Sequence, residues 1–315
     1  MRPIRHAYSW VLPALVATSV AAGDIAFVTN QNSEEVSVID LGAGAELARI
    51  KVPGKPAGVA VDPAGSFYTV SPDSAVVRKF DAGSRAVLDE VSLDGGPTGI
   101  ALATDAGLVF VSDWYNARIW VLDAATLDIA QELTTGAAPA GLAVSPDGAL
   151  LATADRDADQ VSVFDITTLA LRHRLPVGVR PFGLGFAPDG RLFVGNVGSD
   201  DVTVLDAAAG ETLATVPVGA RPYGVAFAQG RAFVTNQYAD SVSVIDLATL
   251  TPEAVIDVGE YPEGIDITGD SQTVVVANWF SNTVSLIDAQ TLAVTSEIGT
   301  GDGPRAFGTF ILRRN

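Results

Sequence analysis

The sequence predicts an all-β chain built from seven repeats of four short strands each. Two markers recur along it with one period, and segments rich in Val, Ile, Phe and Thr alternate with turns rich in Gly, Asp, Asn and Pro. No long segment shows helical periodicity. The 315 residues are 48% hydrophobic and 18% charged, a composition that excludes an intrinsically disordered chain.

The first marker is the triplet Pro-x-Gly, and the second is an Asp that ends an apolar strand. Successive copies of either marker lie 40 to 42 residues apart. The triplets begin at Pro56, Pro97, Pro139, Pro181, Pro222 and Pro262, with a stretched seventh copy at Pro304; the aspartates are Asp40, Asp81, Asp123, Asp165, Asp206, Asp246 and Asp288. A period of about 40 to 45 residues with strand-like units is typical of propeller blades. The fold prediction is therefore a seven-bladed β-propeller.

Each repeat is predicted to form four antiparallel strands. In one repeat they are residues 224–228, 231–235, 241–246 and 254–258. Turns such as Ser-Pro-Asp-Gly at 145–148 have the chemistry of type I turns, with Pro presetting φ and Gly free to take positive φ. We expect the recurrent Asp to accept hydrogen bonds from backbone amides of the turn that follows it.

The register of the repeats predicts how the ring closes. Residues 25–29 match a second strand, and residues 36–40 and 47–52 match a third and a fourth. The missing first strand is found at the other end of the chain, at residues 307–312. We therefore expect residues from both ends to build one blade, with 307–312 beside 25–29, which removes an open sheet edge.

The first strand of each repeat has small residues two positions apart, as at Gly58 and Ala60 or Gly99 and Ala101. Residues two apart lie on one face of a strand. Because the blades come closest together at the axis, the innermost strand of each blade needs small residues on one of its faces. These glycines are interpreted as structural. Asp266 departs from the pattern, since it stands where other repeats have a small residue.

The N-terminus has the features of a cleavable export signal. Arg2 and Arg5 precede an apolar run over residues 7–20, and Val20-Ala21-Ala22 provides small residues for signal peptidase. The prediction is a signal peptide over 1–22, a propeller over 23–315, and a periplasmic or secreted protein. The run is too short for a good membrane span, so the mature chain is expected to have none.

The composition also limits which partners, metal sites and catalytic groups are expected. The formal charge is −18, or −20 without Arg2 and Arg5, which argues against duplex nucleic acid and anionic membranes as partners. Cysteine is absent and only two His occur, of which His173 falls on an outer strand. Asp155-x-Asp157-x-Asp159 starts like a calcium loop, but Gln160 and Ile166 replace the required Gly and Glu. We predict no catalytic residue, no metal and no cofactor.

Several repeats resemble the YVTN-repeat β-propellers. The resemblance lies in Phe-Val-Thr-Asn at 27–30 and 233–236, followed by Val-Ser-Val-Ile-Asp at 36–40 and 242–246. It extends over residues 24–311 and implies a seven-bladed ring. Proteins of this kind are surface, periplasmic or redox-associated, and related propellers occur in quinoprotein dehydrogenases, nitrite reductase and nitrous oxide reductase. Those enzymes use cofactor ligands for which this sequence has no counterpart, so a redox reaction would be fold analogy only.

The candidate site is a basic-aromatic funnel. Loops before each first strand and between second and third strands open on one face of a propeller. Five of the 17 basic residues left after removal of Arg2 and Arg5 fall in these loops. The predicted ligand-binding residues are Lys55, Trp114, Arg156, Arg180, Arg221, Tyr223, Trp279 and Arg305. Guanidinium groups beside aromatic rings suit an anionic ligand. The alternative is that these side chains pack between blades and pair with Asp113, Asp155 or Asp240.

Three functions follow as hypotheses. The first is an exported, non-catalytic propeller that binds a small anionic ligand or a partner protein at the funnel. The second is an accessory protein of a periplasmic redox or quinoprotein system. The third is an enzyme that uses carboxylates alone, for which Glu263 and Asp266 on an inner strand are the candidates.

Overall fold

Seven four-stranded blades form the ring in the computed structural model, which describes residues 23–314. The predicted signal peptide lies outside the described residues. Neighbouring blades pack side by side through their innermost strands. Two short 3₁₀ helices, Thr104–Ala106 and Arg156–Ala158, lie in loops. Within residues 23–314, no helix has the length and apolar character needed to cross a bilayer.

The strands follow the chain order within each blade, and the prediction of seven all-β repeats is confirmed. Blade 1 contains β1 (Ile25–Asn30), β2 (Glu35–Asp40) and β3 (Ala45–Lys51); blade 2 contains β4 (Gly58–Asp62), β5 (Ser66–Ser71), β6 (Val76–Asp81) and β7 (Val87–Ser92). Blade 3 contains β8 (Pro97–Ala103), β9 (Leu108–Asp113), β10 (Arg118–Asp123) and β11 (Ile129–Thr134); blade 4 contains β12 (Pro139–Val144), β13 (Leu150–Asp155), β14 (Gln160–Asp165) and β15 (Leu171–Pro176).

The remaining three blades repeat this plan. Blade 5 contains β16 (Pro181–Phe186), β17 (Leu192–Asn196), β18 (Asp201–Asp206) and β19 (Glu211–Pro217); blade 6 contains β20 (Pro222–Ala228), β21 (Arg231–Asn236), β22 (Ser241–Asp246) and β23 (Thr251–Asp257). Blade 7 contains β24 (Pro262–Ile267), β25 (Thr273–Asn278), β26 (Thr283–Asp288) and β27 (Ala293–Gly299), and the chain ends in β28 (Phe307–Thr309) and β29 (Ile311–Leu312).

Burial is highest in the two middle strands of a blade. In blade 6 these strands are almost entirely buried, whereas the innermost β20 is partly exposed to the central channel and the outermost β23 exposes most of its residues. The core lies between blades, as at the stack of Phe27, Phe67 and Phe80, with ring centroids 4.2 and 4.6 Å apart. Large apolar side chains on both faces of each sheet therefore bind a blade to its two neighbours.

The Asp that ends each third strand forms the predicted turn. In blade 6, Asp246 Oδ1 accepts hydrogen bonds from the amides of Ala248 (2.9 Å) and Thr249 (2.7 Å). The same acceptor role is found at Asp40, Asp81, Asp123, Asp165, Asp206 and Asp288. The aspartate therefore satisfies amides that would otherwise have no partner where the chain reverses.

The ring is closed by residues from both ends of the described chain, as predicted, but the closing segment divides. Residues of β29 pair antiparallel with β1, joining Leu312 to Ile25 and Ile311 to Ala26. The preceding β28 instead pairs in parallel with β4 of blade 2. The switch requires Gly308, whose φ is +130° and whose missing Cβ would lie 2.2 Å from the carbonyl oxygen of Val59.

Candidate functional site

The face predicted to carry the funnel presents its side chains from an unusual backbone conformation. The residue before the proline of the repeat has positive φ in blade after blade: Lys55 (57°), Ala138 (52°), Arg180 (53°), Arg221 (59°) and Tyr261 (59°). Left-handed conformations cost non-glycine residues of order 1–3 kcal/mol, and residues before proline normally prefer extended geometry. Glycine would occupy these positions without that strain.

Carboxylates of the preceding loop hold three of these positions. Asp159 Oδ1 accepts the amide hydrogen of Arg180 (2.7 Å), Asp200 that of Arg221 (2.8 Å), and Asp240 that of Tyr261 (2.9 Å). The backbone that carries these side chains is therefore fixed before any ligand arrives, which lowers the entropy cost of binding.

The Asn that ends the second strand lies beneath this face. Asn236 is fully buried, and its Nδ2 donates to Ser241 (3.1 Å) and Ser243 (2.9 Å). Asn30, Asn196 and Asn278 make the equivalent bond to a Ser or Thr seven residues on. These asparagines therefore support the loops and offer no side chain to a ligand.

An aromatic plug, formed by Phe182, Tyr223 and Phe307, lies at the axis on this face. The centroid of Phe182 is 4.5 Å from that of Tyr223 and 5.2 Å from that of Phe307, and all three side chains are buried. Trp114 packs on the plug from blade 3, with its centroid 6.0 Å from Phe182. The plug joins two blades and the closing segment, and Trp114 adds a third blade.

Arg305 is bound into a polar network beside the plug. Its Nε lies 3.1 Å from Glu263 Oε2, while its Nη2 donates to Tyr223 Oη (2.5 Å) and its Nη1 to Gln31 Oε1 (3.1 Å). Gln237 Nε2 donates to Glu263 Oε1 (2.5 Å). Burial raises the pKa of Glu263, an effect that the Arg305 guanidinium opposes. Arg305 thus already has an anionic partner in its own ring.

Two guanidinium groups stack on aromatic rings further from the axis. Arg221 lies over Tyr238, 4.6 Å from its centroid, and donates to its hydroxyl (2.8 Å). Arg156 lies over Trp114 at 5.4 Å and forms an ion pair with Asp157 (2.6 Å). We call Trp114, Arg156, Arg180, Arg221 and Tyr238 the rim. Stacking on a ring holds a guanidinium flat and leaves its edges available to an anion.

The most exposed aromatic side chains of the described chain lie on the same face. They are Tyr115 (77% exposed), Tyr238 (59%) and Phe280 (58%). Tyr261 connects the last two, since its centroid is 5.5 Å from Tyr238 and 4.8 Å from Phe280. Trp279 lies 4.6 Å from Phe280 and is half-buried. Exposed rings are a feature of surfaces that bind ligands or other proteins.

The eight predicted residues thus fall into separate environments. Arg305 and Tyr223 belong to the buried network, and Lys55 pairs with Asp73 at 3.4 Å. Arg156 and Trp114 stack together on the rim, and Trp279 belongs to the adjoining aromatic surface. Within residues 23–314, Arg180 and Arg221 form no ion pair, although the sequence offered Asp113, Asp155 and Asp240 as partners. Each of these carboxylates accepts a backbone amide hydrogen instead, and Asp113 also pairs with Arg118.

A cavity of about 440 Å³ lies in the central channel, on the opposite side of the plug. It extends from Phe307 to the turns at Pro146 and Pro188, and none of the eight predicted residues lines it. The sequence predicted no site in this channel. A usable signal was the large apolar residue five positions after the repeat proline in blades 3 to 7, for example Phe186 and Phe227.

The two acids considered for catalysis have structural partners. Asp266 Oδ2 accepts the amide hydrogens of Phe310 (2.9 Å) and Ile311 (3.1 Å), and its Oδ1 is 3.1 Å from Arg313 Nη2. Burial raises the pKa of Asp266, opposed by Arg313. Asp266 therefore anchors the closing segment, which explains why an acid replaces the small residue at this place. In residues 23–314, no group of three or more His, Asp or Glu is placed to hold a metal.

Three family models match parts of the chain, and all describe β-propellers or their repeats. A YNCE-like β-propeller model matches residues 216–304, and a model of seven-bladed β-propeller lactonases matches residues 115–213. An NHL-repeat model matches residues 95–122. The chain is a seven-bladed β-propeller. Among curated proteins, none matches this sequence.

Solved structures share the propeller with low sequence identity. A functionally unknown protein from Desulfotomaculum acetoxidans has a TM-score of 0.79 at 14% identity, covering 93% of this chain and 100% of its own. Kuenenia stuttgartiensis hydrazine synthase gives 0.75 at 19%, covering 89% and 99%. The dihydro-heme d1 dehydrogenase NirN, in complex with DHE, gives 0.68 at 16%, covering 92% and 76%. At these identities the likeness extends to the fold alone.

Proposed function

We propose that this propeller is an exported binding protein without catalytic activity, and that its rim holds an anionic ligand or an acidic segment of a partner protein. One observation carries the proposal. Arg180 and Arg221 stand at left-handed positions before proline, where glycine would relieve strain, and neither forms an ion pair within the described residues. Strained backbone positions cluster at ligand-binding sites, and here two of them carry guanidinium groups.

The charge balance supports an anion as the ligand. The chain has a formal charge of −18, yet the guanidinium groups of Arg180 and Arg221 form no ion pair within residues 23–314. The nearby carboxylates of Asp159 and Asp200 accept backbone amide hydrogens instead. Arg221 lies over the Tyr238 ring, and its Nε is buried and has no hydrogen-bond partner among residues 23–314. An anion at the rim would satisfy the donors that the protein leaves unpaired.

A planar anion fits the rim better than a compact one. Tyr238, Tyr261 and Phe280 extend the rim as a continuous aromatic surface of blades 6 and 7. A ligand with both a ring and an anionic group could stack on these rings while its charge faces Arg221. An acidic peptide with aromatic residues has the same chemistry, which is the reason that a protein partner stays within the proposal.

The second candidate is an accessory role in a periplasmic redox system. It is supported only by the fold shared with hydrazine synthase and with the dehydrogenase NirN. Under this candidate the rim would bind a partner protein of that system.

The test compares glycine variants at two left-handed positions. We expect the Arg180→Gly/Arg221→Gly double variant to fold and to lose binding of phenyl phosphate and of an acidic tyrosine-containing peptide, measured by calorimetry. A charged hydrogen bond contributes about 1.5–3 kcal/mol, so removing one arginine should weaken binding at least about tenfold. Ala138→Gly is the matched control, because it changes the same backbone position without removing a charge.

Two results would overturn the proposal. In the first, neither probe binds the unaltered protein. In the second, the double variant binds the probes as tightly as Ala138→Gly does, which would show that the arginines do not contact the anion. Thermal unfolding of both variants distinguishes loss of the site from loss of the fold.

A further inference from the structure

We infer that the central channel is a second binding site, which takes a small amphiphile with a hydrocarbon body and one anionic headgroup. This inference is independent of the rim, because the aromatic plug separates the channel from that face. The cavity of about 440 Å³ is within the range of about 300–1,000 Å³ that small-molecule sites occupy.

The wall of the channel is apolar and partly exposed. Leu102, Val144, Phe186, Phe227 and Ile267 occupy the same place in five consecutive blades, five residues after the repeat proline. Each of them is only partly buried, whereas apolar residues between the blades are fully buried. A ring of large apolar side chains that the fold leaves in contact with solvent would gain free energy by covering a hydrocarbon.

The inner end of the channel is narrow and closed. Glycines line it, and a Cβ on Gly141 would lie 3.3 Å from Phe307 Cζ. The plug residue Phe307 forms the floor, and the turns at Pro146 and Pro188 form the mouth. A ligand must therefore enter from the face opposite to the rim, with its hydrocarbon end towards Phe307.

The charged side chains that line the channel determine which kind of headgroup a ligand can have. Glu263 and Asp266 line the cavity, but their side chains are only 4% and 7% exposed and each is paired with an arginine. Arg313 is 48% exposed. Its Nε donates to Ile267 O and its Nη2 to Asp266, while Nη1 makes no hydrogen bond within residues 23–314. Although Asp266 pairs with it, Arg313 is the most exposed of these three charged side chains, and its Nη1 remains able to donate to a carboxylate or a similar anion.

The probes are hexanoate, octanoate and decanoate, with decanol as the uncharged comparison, titrated into the full-length chain by calorimetry. Affinity should rise about fourfold for each methylene buried, which corresponds to ~0.8 kcal/mol. Decanol should bind about tenfold more weakly than decanoate, since it lacks the charge that pairs with Arg313. An affinity independent of chain length, or no binding of decanoate, would overturn the inference.

Variants locate the site. Ala143→Phe fills the cavity and should abolish decanoate binding, whereas Ala209→Phe makes the same change on an exposed turn and should not. Arg313→Gln should remove the preference for decanoate over decanol while chain-length dependence persists. Arg313→Lys should restore that preference if the charge is responsible. Equal decanoate binding by Ala143→Phe and Ala209→Phe would place the ligand elsewhere and refute the channel site.

Discussion

Replacing Asp266 with Ala should loosen the closure of the ring. Ala60, Ala101, Ala143 and Ala226 occupy the corresponding place in other blades, so the backbone accepts this side chain. The variant removes the acceptor from the buried amides of Phe310 and Ile311. The expected loss of stability is therefore electrostatic, since two amides lose their acceptor, and it does not arise from a steric clash.

The magnitude follows from the two amides. A buried donor left without a partner costs about 1–3 kcal/mol, which gives about 2–6 kcal/mol for Phe310 and Ile311 together. Burial raises the pKa of Asp266, so relief of the buried charge offsets part of this cost and favours the lower half of the range. With an unfolding entropy of about 2.1 cal/mol/K per residue, a folded chain of roughly 290 residues should lose about 3–7 °C in Tm.

Calorimetric unfolding and hydrogen exchange of the closing segment provide the two measurements. Amides of residues 307–312 should exchange faster in Asp266→Ala, because local opening becomes easier. Asp257→Ala is the control, since Asp257 is exposed on the outer strand β23, and a change there should stay within about 0.5 kcal/mol. A Tm for Asp266→Ala equal to that of the control, with unchanged exchange at 307–312, would refute the role assigned to Asp266.

Three further predictions concern closure, acid and export. Removal of the last ten residues should lower the Tm of the whole ring in one cooperative transition, and an unchanged melting curve would contradict closure by this segment. Hydrogen bonds from Thr168 and Arg172 lower the pKa of Asp165 to about 2, below its unfolded value, so its stabilisation should be lost as pH falls from about 4 to 2. Urea unfolding should show that Asp165→Asn removes part of this acid sensitivity, and an identical pH profile would count against it. Mass spectrometry of exported material should find a mature chain that begins near Gly23, whereas a retained N-terminus would indicate an anchor.

The rim shows how far local sequence could go towards a site. Placing Arg156 and Trp114 on one face needed only the repeat register, and the structure stacks them. The sequence did not distinguish the environment of Arg305 from that of Arg221, because each arginine lies at or within a repeat motif. Arg305 is neutralised by Glu263, which lies 42 residues away in another blade. That pairing depends on the position of the closing segment, which local spacing does not encode.

The sequence by itself determined the number of blades, the order of their strands and the participation of both ends in one blade. These properties follow from patterns within about 42 residues, because each blade is one supersecondary unit with the same turns and the same buried strands. Even the anomaly at Asp266 was visible, since a repeat provides its own standard of comparison.

Only the tertiary structure decided what the centre of the ring is. The division of the closing segment between β4 and β1, the aromatic plug and the channel behind it involve residues from several blades at once. The innermost strands could meet at the axis or leave a cavity of about 440 Å³. Which of these happens depends on how far from the axis the seven blades pack against one another. That distance is fixed by packing between the blades, and a pattern read within one repeat carries no information about it.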